Sequence, residues 1–284
     1  MANQPNAALA GTIDIGGDMT VNRLGFGAMR VTGKGVWRDP PDRDAAKAVL
    51  RRAVDLGVNF IDTADCYGPE VSESLIAETL YPYPDDLVIA TKGGVVRPGP
   101  DQWMPNGRPD HLRQACERSL QLLRLDAIPM YYLHQPDPKV PMEESIGMLV
   151  QLKDEGKIRH LAVSNVSEHE LRLAQRLTAI VSVQNRYNPT DRESDGLVDV
   201  CAQERLVFVP WEPVIDSGDA TLARIAKAHG ASVHQVALAW LLARSPAVLP
   251  IPGTGNVSHL DENVGATTLR LTPEEFEQVG QLAR

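Results

Sequence analysis

One feature constrains this 284-residue chain more than any other. From Arg23 almost to the end, short apolar runs alternate with amphipathic helical patterns. The apolar runs fall at residues 24–28, 60–61, 87–91, 128–133, 160–164, 180–184, 206–211 and 248–251, and they predict eight strands. Helical patterns fall between them at 43–56, 72–80, 110–123, 142–155, 167–174 and 232–243. Strictly alternating strands and helices imply a parallel sheet, because a parallel connection must cross over the sheet. Eight such units predict closure into a (β/α)8 TIM barrel, and the length is close to the ~250 residues usual for that architecture. An open doubly wound sheet would carry a glycine-rich phosphate turn near its first strand. Leu24-Gly25-Phe26-Gly27 lacks both the third glycine and the spacing. The chain is therefore expected to be one α/β domain over residues 1–284, with residues 1–10 flexible.

Local signals support this division. Ser167 precedes Glu170, and Thr272 precedes Glu275 with Pro273 between, so both pairs read as capping boxes. Gly57 and Gly156 stand where helices should stop. Ile13 and Ile15 alternate with polar residues before Gly16-Gly17-Asp18, which predicts an N-terminal β-hairpin plugging the bottom of the barrel.

Composition excludes several classes. A hydrophobic fraction of 43% and a charged fraction of 23% are those of an ordinary globular protein. A formal charge of -9 argues against a nucleic-acid binder. Cys66, Cys116 and Cys201 form no CxxC pair and read as reduced thiols, which predicts a cytoplasmic protein and no structural metal. Met1–Ala10 is no signal peptide, and no window is long and apolar enough for a membrane span.

In a barrel of this kind the chemistry sits at the strand C-termini. There the sequence places Asp62 and Tyr67 after the second strand, Lys92 after the third and His134 after the fourth. A lysine beside a phenol is expected to lower its pKa from ~10, and a carboxylate can match the lysine's buried charge. The imidazole can polarise a carbonyl oxygen. Together the four suit protonation of a carbonyl oxygen while hydride reaches its carbon. Each alone has a bland reading, as a buried ion pair, a packing tyrosine or a core histidine. All four at successive strand ends are harder to assign to chance.

Over almost its whole length the chain resembles the aldo-keto reductases. The resemblance rests on Asn59 to Gly68 (NFIDTADCYG), the strand ending in Lys92, His134, Ile158 to Asn165 (IRHLAVSN), Val183 to Pro189 (VQNRYNP) and Ile251 to Asn263 (IPGTGNVSHLDEN). It is strongest to bacterial members, among which pyridoxal reductases are one known activity. It implies the barrel fold, a catalytic set of Asp62, Tyr67, Lys92 and His134, and Tyr67 as general acid. It also implies that Ser164, Asn165 and Gln184 hold a nicotinamide carboxamide and that Trp211 stacks on its ring. Gly253, Thr254, Asn256 and His259 would take the phosphates, and Glu262 and Asn263 the adenine.

The resemblance implies NADPH as cofactor, with NADH the alternative, because Gly253 and His259 stand where many NADP-selective members carry a lysine or arginine. Glu212 and Asp216 lie where the family usually wraps small neutral residues around the pyrophosphate. A long loop, 93–109, carries Trp103 and is expected to be a substrate lid. Met29, Arg30 and Trp37 are expected on the opposite wall. The expected partner is a small carbonyl compound. Two other readings are a metal-dependent barrel hydrolase using Asp62, Asp65 and His134, and a non-catalytic nicotinamide-binding regulatory subunit.

Overall fold

Strand side chains alternate between the two faces of a sheet, so in a closed barrel every second residue points into the centre. The computed structural model describes residues 5–214 and 218–283. Its strands are β1 (Thr12–Ile15), β2 (Met19–Asn22), β3 (Phe26–Gly27), β4 (Phe60–Asp62), β5 (Val88–Gly93), β6 (Val95–Val96), β7 (Met104–Pro105), β8 (Ile128–Leu133), β9 (Ile158–Ser164), β10 (Ile180–Gln184) and β11 (Val207–Phe208). Its helices are α1 (Arg43–Asp55), α2 (Val71–Leu80), α3 (Pro109–Leu123), α4 (Met142–Asp154), α5 (Glu168–Leu177), α6 (Asp195–Glu204), α7 (Ala220–His229), α8 (Val233–Arg244), α9 (Val257–Gly265) and α10 (Pro273–Gly280). None is long and apolar enough to cross a membrane.

β3, β4, β5, β8, β9, β10 and β11 pair in that order, all parallel. The gap between β11 and β3 is filled by residues 248–252. Phe208 N–H donates to Ala247 O at 2.8 Å and Leu249 N–H to Phe208 O at 2.9 Å. On the other side Gly25 N–H donates to Pro250 O at 2.9 Å and Gly27 N–H to Pro252 O at 3.4 Å. The eighth strand expected at 248–251 is thus present as a bonded segment rather than a regular strand. Pro250 and Pro252 have no N–H to give to a ladder, which is the physical reason. The first and seventh expected strands, 24–28 and 206–211, likewise shorten to β3 and β11.

The inward set is apolar at the bottom and polar at the top. Phe60, Val88, Ala90, Met130, Tyr132, Ala162, Val207, Val209, Leu249 and Ile251 fill the centre together with Ile15, Met19 and Val21 of the β1–β2 hairpin. The hairpin therefore closes the bottom, as its sequence predicts. Asp18 at its tip bonds His160 Nε2 at 2.7 Å and pairs with Arg159, both near the start of β9. Gly16 in the turn has φ 67° and lies against the His160 ring, where a side chain would collide.

A second layer of apolar side chains lies between sheet and helices. α1 shows why the helices dock: Ala46, Val49, Leu50 and Ala53 recur at helical spacing and are buried, and Asp42 caps the start by accepting the Ala45 N–H. Both expected capping boxes form, and α8 has a third, Ser232 with Gln235. Gly57 and Gly156, at φ 78° and 76°, end α1 and α4. α6 and α7 have no counterpart in the sequence reading. Residues 5–10 are not a loose tail. Asn6 caps a 3-10 turn, and buried Ala7 donates to Leu56 O at 2.8 Å.

One buried carboxyl makes stability depend on pH. Glu73 on α2 is fully buried and accepts from Thr91 Oγ1 at 2.6 Å, and burial pushes its pKa up to about 7. Between the carboxyl's ordinary value and about 7, the folded state holds a proton that the unfolded chain has released, so stability falls as pH rises through that window. Glu73→Gln stays neutral at every pH. Its melting temperature, compared with wild type in buffers from pH 5 to 8, is expected to gain as pH rises to about 7 and to level off above it. Parallel curves would contradict this.

Candidate active site

The strand parity that fills the barrel also aims the site. Asp62 pairs with Ala90 and Lys92 with Tyr132 in the sheet register, so both point inward above the apolar layer. Lys92, fully buried, donates to Asp62 Oδ1 at 2.5 Å and to Thr63 O at 2.9 Å, and stands 3.5 Å from the Tyr67 hydroxyl. The second Asp62 oxygen, Oδ2, accepts from Gln184 Nε2 at 2.8 Å. Tyr67 and His134 are both under 9% exposed, with ring centroids 5.9 Å apart in an edge arrangement. The four residues named from the sequence therefore converge at one mouth of the barrel.

Their charge states follow from burial. Burial, aided by the nearby Asp62 carboxylate, pushes the Tyr67 phenol well above its ordinary range. This corrects the expectation that Lys92 lowers it. The ammonium, shared at 2.5 Å with Asp62, does not offset the desolvation of the phenol, so burial wins in the resting site. Burial also raises Asp62, against the pull of Lys92. Burial, with Lys92 and Arg97 nearby, holds His134 well below the usual imidazole range, so the ring is neutral.

Asn165 ties three strand ends together. In a left-handed conformation, φ 56°, it donates from Nδ2 to His134 O and to Ser164 Oγ, both at 3.0 Å, and its Oδ1 accepts from Trp211 Nε1 at 3.0 Å. Ser164 keeps its hydroxyl proton as a donor, and Gln184 keeps Oε1 as an acceptor. A primary carboxamide needs that donor and acceptor pair.

A cavity of about 520 Å³ runs from Tyr67, Trp103, His134 and Met29 past Ser164, Asn165, Gln184 and Trp211 to Gly253, Thr254, His259 and Asn263. Its volume is within the range of small-molecule sites. Its far end is built by close backbone approach. A Cβ on Gly253 would stand 2.6 Å from Gly27 O, and one on Gly255 would stand 3.0 Å from Arg30 O.

Three of the expected contacts lie elsewhere. Asn256 caps α9, accepting from Ser258 N–H at 2.8 Å, and does not line the cavity. Glu262 also stays off the wall, with its carboxylate 3.8 Å from His234 Nδ1. Arg30 lines the cavity but packs against the 253–255 turn, so it stands at the far end rather than only beside a substrate. Trp37 does not line it and bridges to Gly68 instead. Glu212 lines the wall and pairs with Arg186, whereas Asp216 lies outside the described residues.

Other residues carry no sequence signal that would have found them. Arg97 donates from Nη2 to Gly35 O at 2.6 Å, from Nη1 to Val36 O at 3.0 Å and from Nε to Gln102 O at 2.6 Å, stapling loop 93–109 to the loop after β3. Its guanidinium lies 3.6 Å from the Trp103 ring centre, and this holds an exposed tryptophan over the mouth. His234 on α8 lines the far part of the cavity, and Cys66 Sγ lies 3.6 Å from His134 Nδ1.

Comparison with known proteins agrees with this geometry. The family model of the aldo/keto reductase family matches residues 23–284. An uncharacterized oxidoreductase of Schizosaccharomyces pombe is 45% identical, over 97% of this chain and 91% of its own length. Pyridoxine 4-dehydrogenase of Escherichia coli is 40% identical, over 94% and 97%. An aldo-keto reductase of Klebsiella pneumoniae, crystallised with NADPH, superposes with a TM-score of 0.80 at 27% identity, covering 95% and 94% of the two chains. With a parallel barrel and this similarity over nearly its full length, the chain belongs to the aldo/keto reductase family and is an NAD(P)H-dependent oxidoreductase.

Proposed function

We propose that the protein reduces an aldehyde or ketone to an alcohol with NADPH, and that Tyr67 supplies the proton. The observation that carries this reading is the chain of contacts from Asp62 to Lys92 at 2.5 Å and from Lys92 to the Tyr67 hydroxyl at 3.5 Å, in a cavity that extends to Gly253 and Thr254. Bound NADPH supplies the hydride that reduces the carbonyl carbon. Ser164 and Gln184 would hold its carboxamide, Trp211 one face of its ring, and the 253–255 turn with Thr254 and His259 its phosphates. Asn165, whose amide already links His134, Ser164 and Trp211, positions these groups rather than binding alone.

The raised phenol pKa suits the proposed direction. Tyr67 remains protonated at neutral pH and is ready to donate to the carbonyl oxygen. The phenolate left behind forms beside the Lys92 ammonium, which stabilises it where the charge develops. Neutral His134 orients the carbonyl by a hydrogen bond. Trp103, Tyr67 and His134 meet edge to face at the mouth, with centroids 5.9–6.4 Å apart, which favours a flat aromatic carbonyl. The relative named pyridoxine 4-dehydrogenase makes the pyridoxal–pyridoxine pair the first substrate to try. The same reading takes 1–284 as one catalytic domain working in the cytoplasm, where its three free thiols fit.

The test is NADPH and NADH oxidation against a panel of aldehydes, ketones and pyridoxal. Arg30 is a cationic side chain beside the turn, so Arg30→Ala is expected to weaken NADPH binding by about tenfold or more while NADH changes less. Fluorescence titration with each dinucleotide checks this. Equal losses for the two would refute a phosphate-selective role.

A further inference from the structure

Beside His134 lies a group that carbonyl reduction does not account for. Asp65, Cys66 and His134 each bring a metal-ligating atom to one spot, all within 4.8 Å of one another. Cys66 Sγ is 3.6 Å from His134 Nδ1. On a tetrahedral zinc ion, with Zn–S near about 2.3 Å and Zn–N near about 2.0 Å, sulfur and nitrogen stand about 3.6 Å apart. The pair, joined by a hydrogen bond in the metal-free protein, is thus also spaced as two ligands of one ion. Asp65 Oδ1 is shut off from solvent with no hydrogen-bond partner. A buried oxygen left in that state is costly until something satisfies it. The neighbouring Asp62 is no competitor, because Lys92 and Gln184 engage both its oxygens. This also separates the three from the hydrolase reading, which needs Asp62 as a ligand.

We propose that Asp65, Cys66 and His134 form a capture site for a thiophilic divalent cation of the zinc type, and that occupancy slows carbonyl reduction by fixing the His134 ring to the metal. Binding involves no change of oxidation state. The Cys66 thiol and the Asp65 carboxyl release their protons to solvent, sulfur and the imidazole nitrogen each donate a lone pair to the ion, Asp65 coordinates as carboxylate, and water completes the four ligands. The effect on turnover rests on the proposed role of His134, whereas the site itself does not.

Cobalt(II) added to the full-length protein reads the site directly. A thiolate-to-cobalt charge-transfer band in the near ultraviolet is expected, lost in Cys66→Ser and retained in Cys116→Ser, which alters another buried free cysteine. Asp65→Asn, which keeps the thiol, is expected to retain the band with affinity reduced by about tenfold, and it guards against a Cys66→Ser variant that misfolds. Zinc is expected to inhibit aldehyde reduction reversibly on chelation. Cys66→Ser should need about tenfold or more zinc for the same fractional loss, measured against its own metal-free rate. No thiolate band in wild type, or one that survives Cys66→Ser in folded protein, overturns the site. Equal zinc sensitivity in wild type and Cys66→Ser overturns the effect on turnover. The cobalt measurement needs no catalysis, so its outcome is separate from that of the proposed reaction.

Discussion

Tyr67→Phe is expected to lower kcat for aldehyde reduction by about 10²- to 10⁴-fold, the usual contribution of a positioned general acid. The substitution removes one oxygen and leaves the ring, so the edge contacts with Trp103 and His134 can persist and the fold should hold. Dinucleotide binding is expected to be unchanged, because the hydroxyl faces Lys92 rather than the 253–255 turn. Burial holds the phenol above its ordinary range, so titration of Tyr67 itself should not lower the reduction rate of wild type between about pH 6 and 9. Single-turnover rates, together with dinucleotide titration, separate chemistry from binding. A variant that keeps full kcat would remove Tyr67 from the role of acid.

Lys92→Met is expected to do two kinds of damage. It leaves Asp62, 2% exposed, without its counter-charge, and removing one partner of a buried pair typically costs about 3–5 kcal/mol. Protonation of Asp62 limits the loss, since burial already raises its pKa. The variant also lacks the cation beside the forming phenolate, so kcat should fall even in protein that remains folded. The double variant Asp62→Asn with Lys92→Met has no orphaned charge. It is expected to recover much of the stability and none of the rate. Urea unfolding and kcat on all three proteins decide the matter. Wild-type stability and rate in Lys92→Met would defeat both halves of the argument, and recovery of rate in the double variant would make the pair structural only.

Much of the site was legible before folding because strand alternation is a local rule. Asp62, Lys92, Ser164 and Gln184 stand at strand ends in inward-facing register, and that follows from counting along each strand. His134 follows directly after β8 and Tyr67 lies in the loop after β4, where barrels of this type place their chemistry. Loops and side-chain rotamers were less legible. Asn256 has the right composition for phosphate contact, yet its side chain is drawn into capping α9. Arg30 looked like a substrate-wall residue until the loop after β3 was seen packed on the 253–255 turn. Arg97 is one arginine in a Pro- and Gly-rich loop until its guanidinium meets carbonyls from two segments.

The sequence by itself determined the alternation of strands and helices, the inward face of each strand and the residue types delivered to the barrel mouth. These depend on periodicities of two and 3.6 residues, which neighbours along the chain are enough to establish. Only the tertiary structure decided how far apart those groups stand and which of them carry charge. Desolvation and Coulomb fields act through space, so the raised phenol of Tyr67, the neutral ring of His134 and the unpartnered oxygen of Asp65 exist only once the barrel has closed around them.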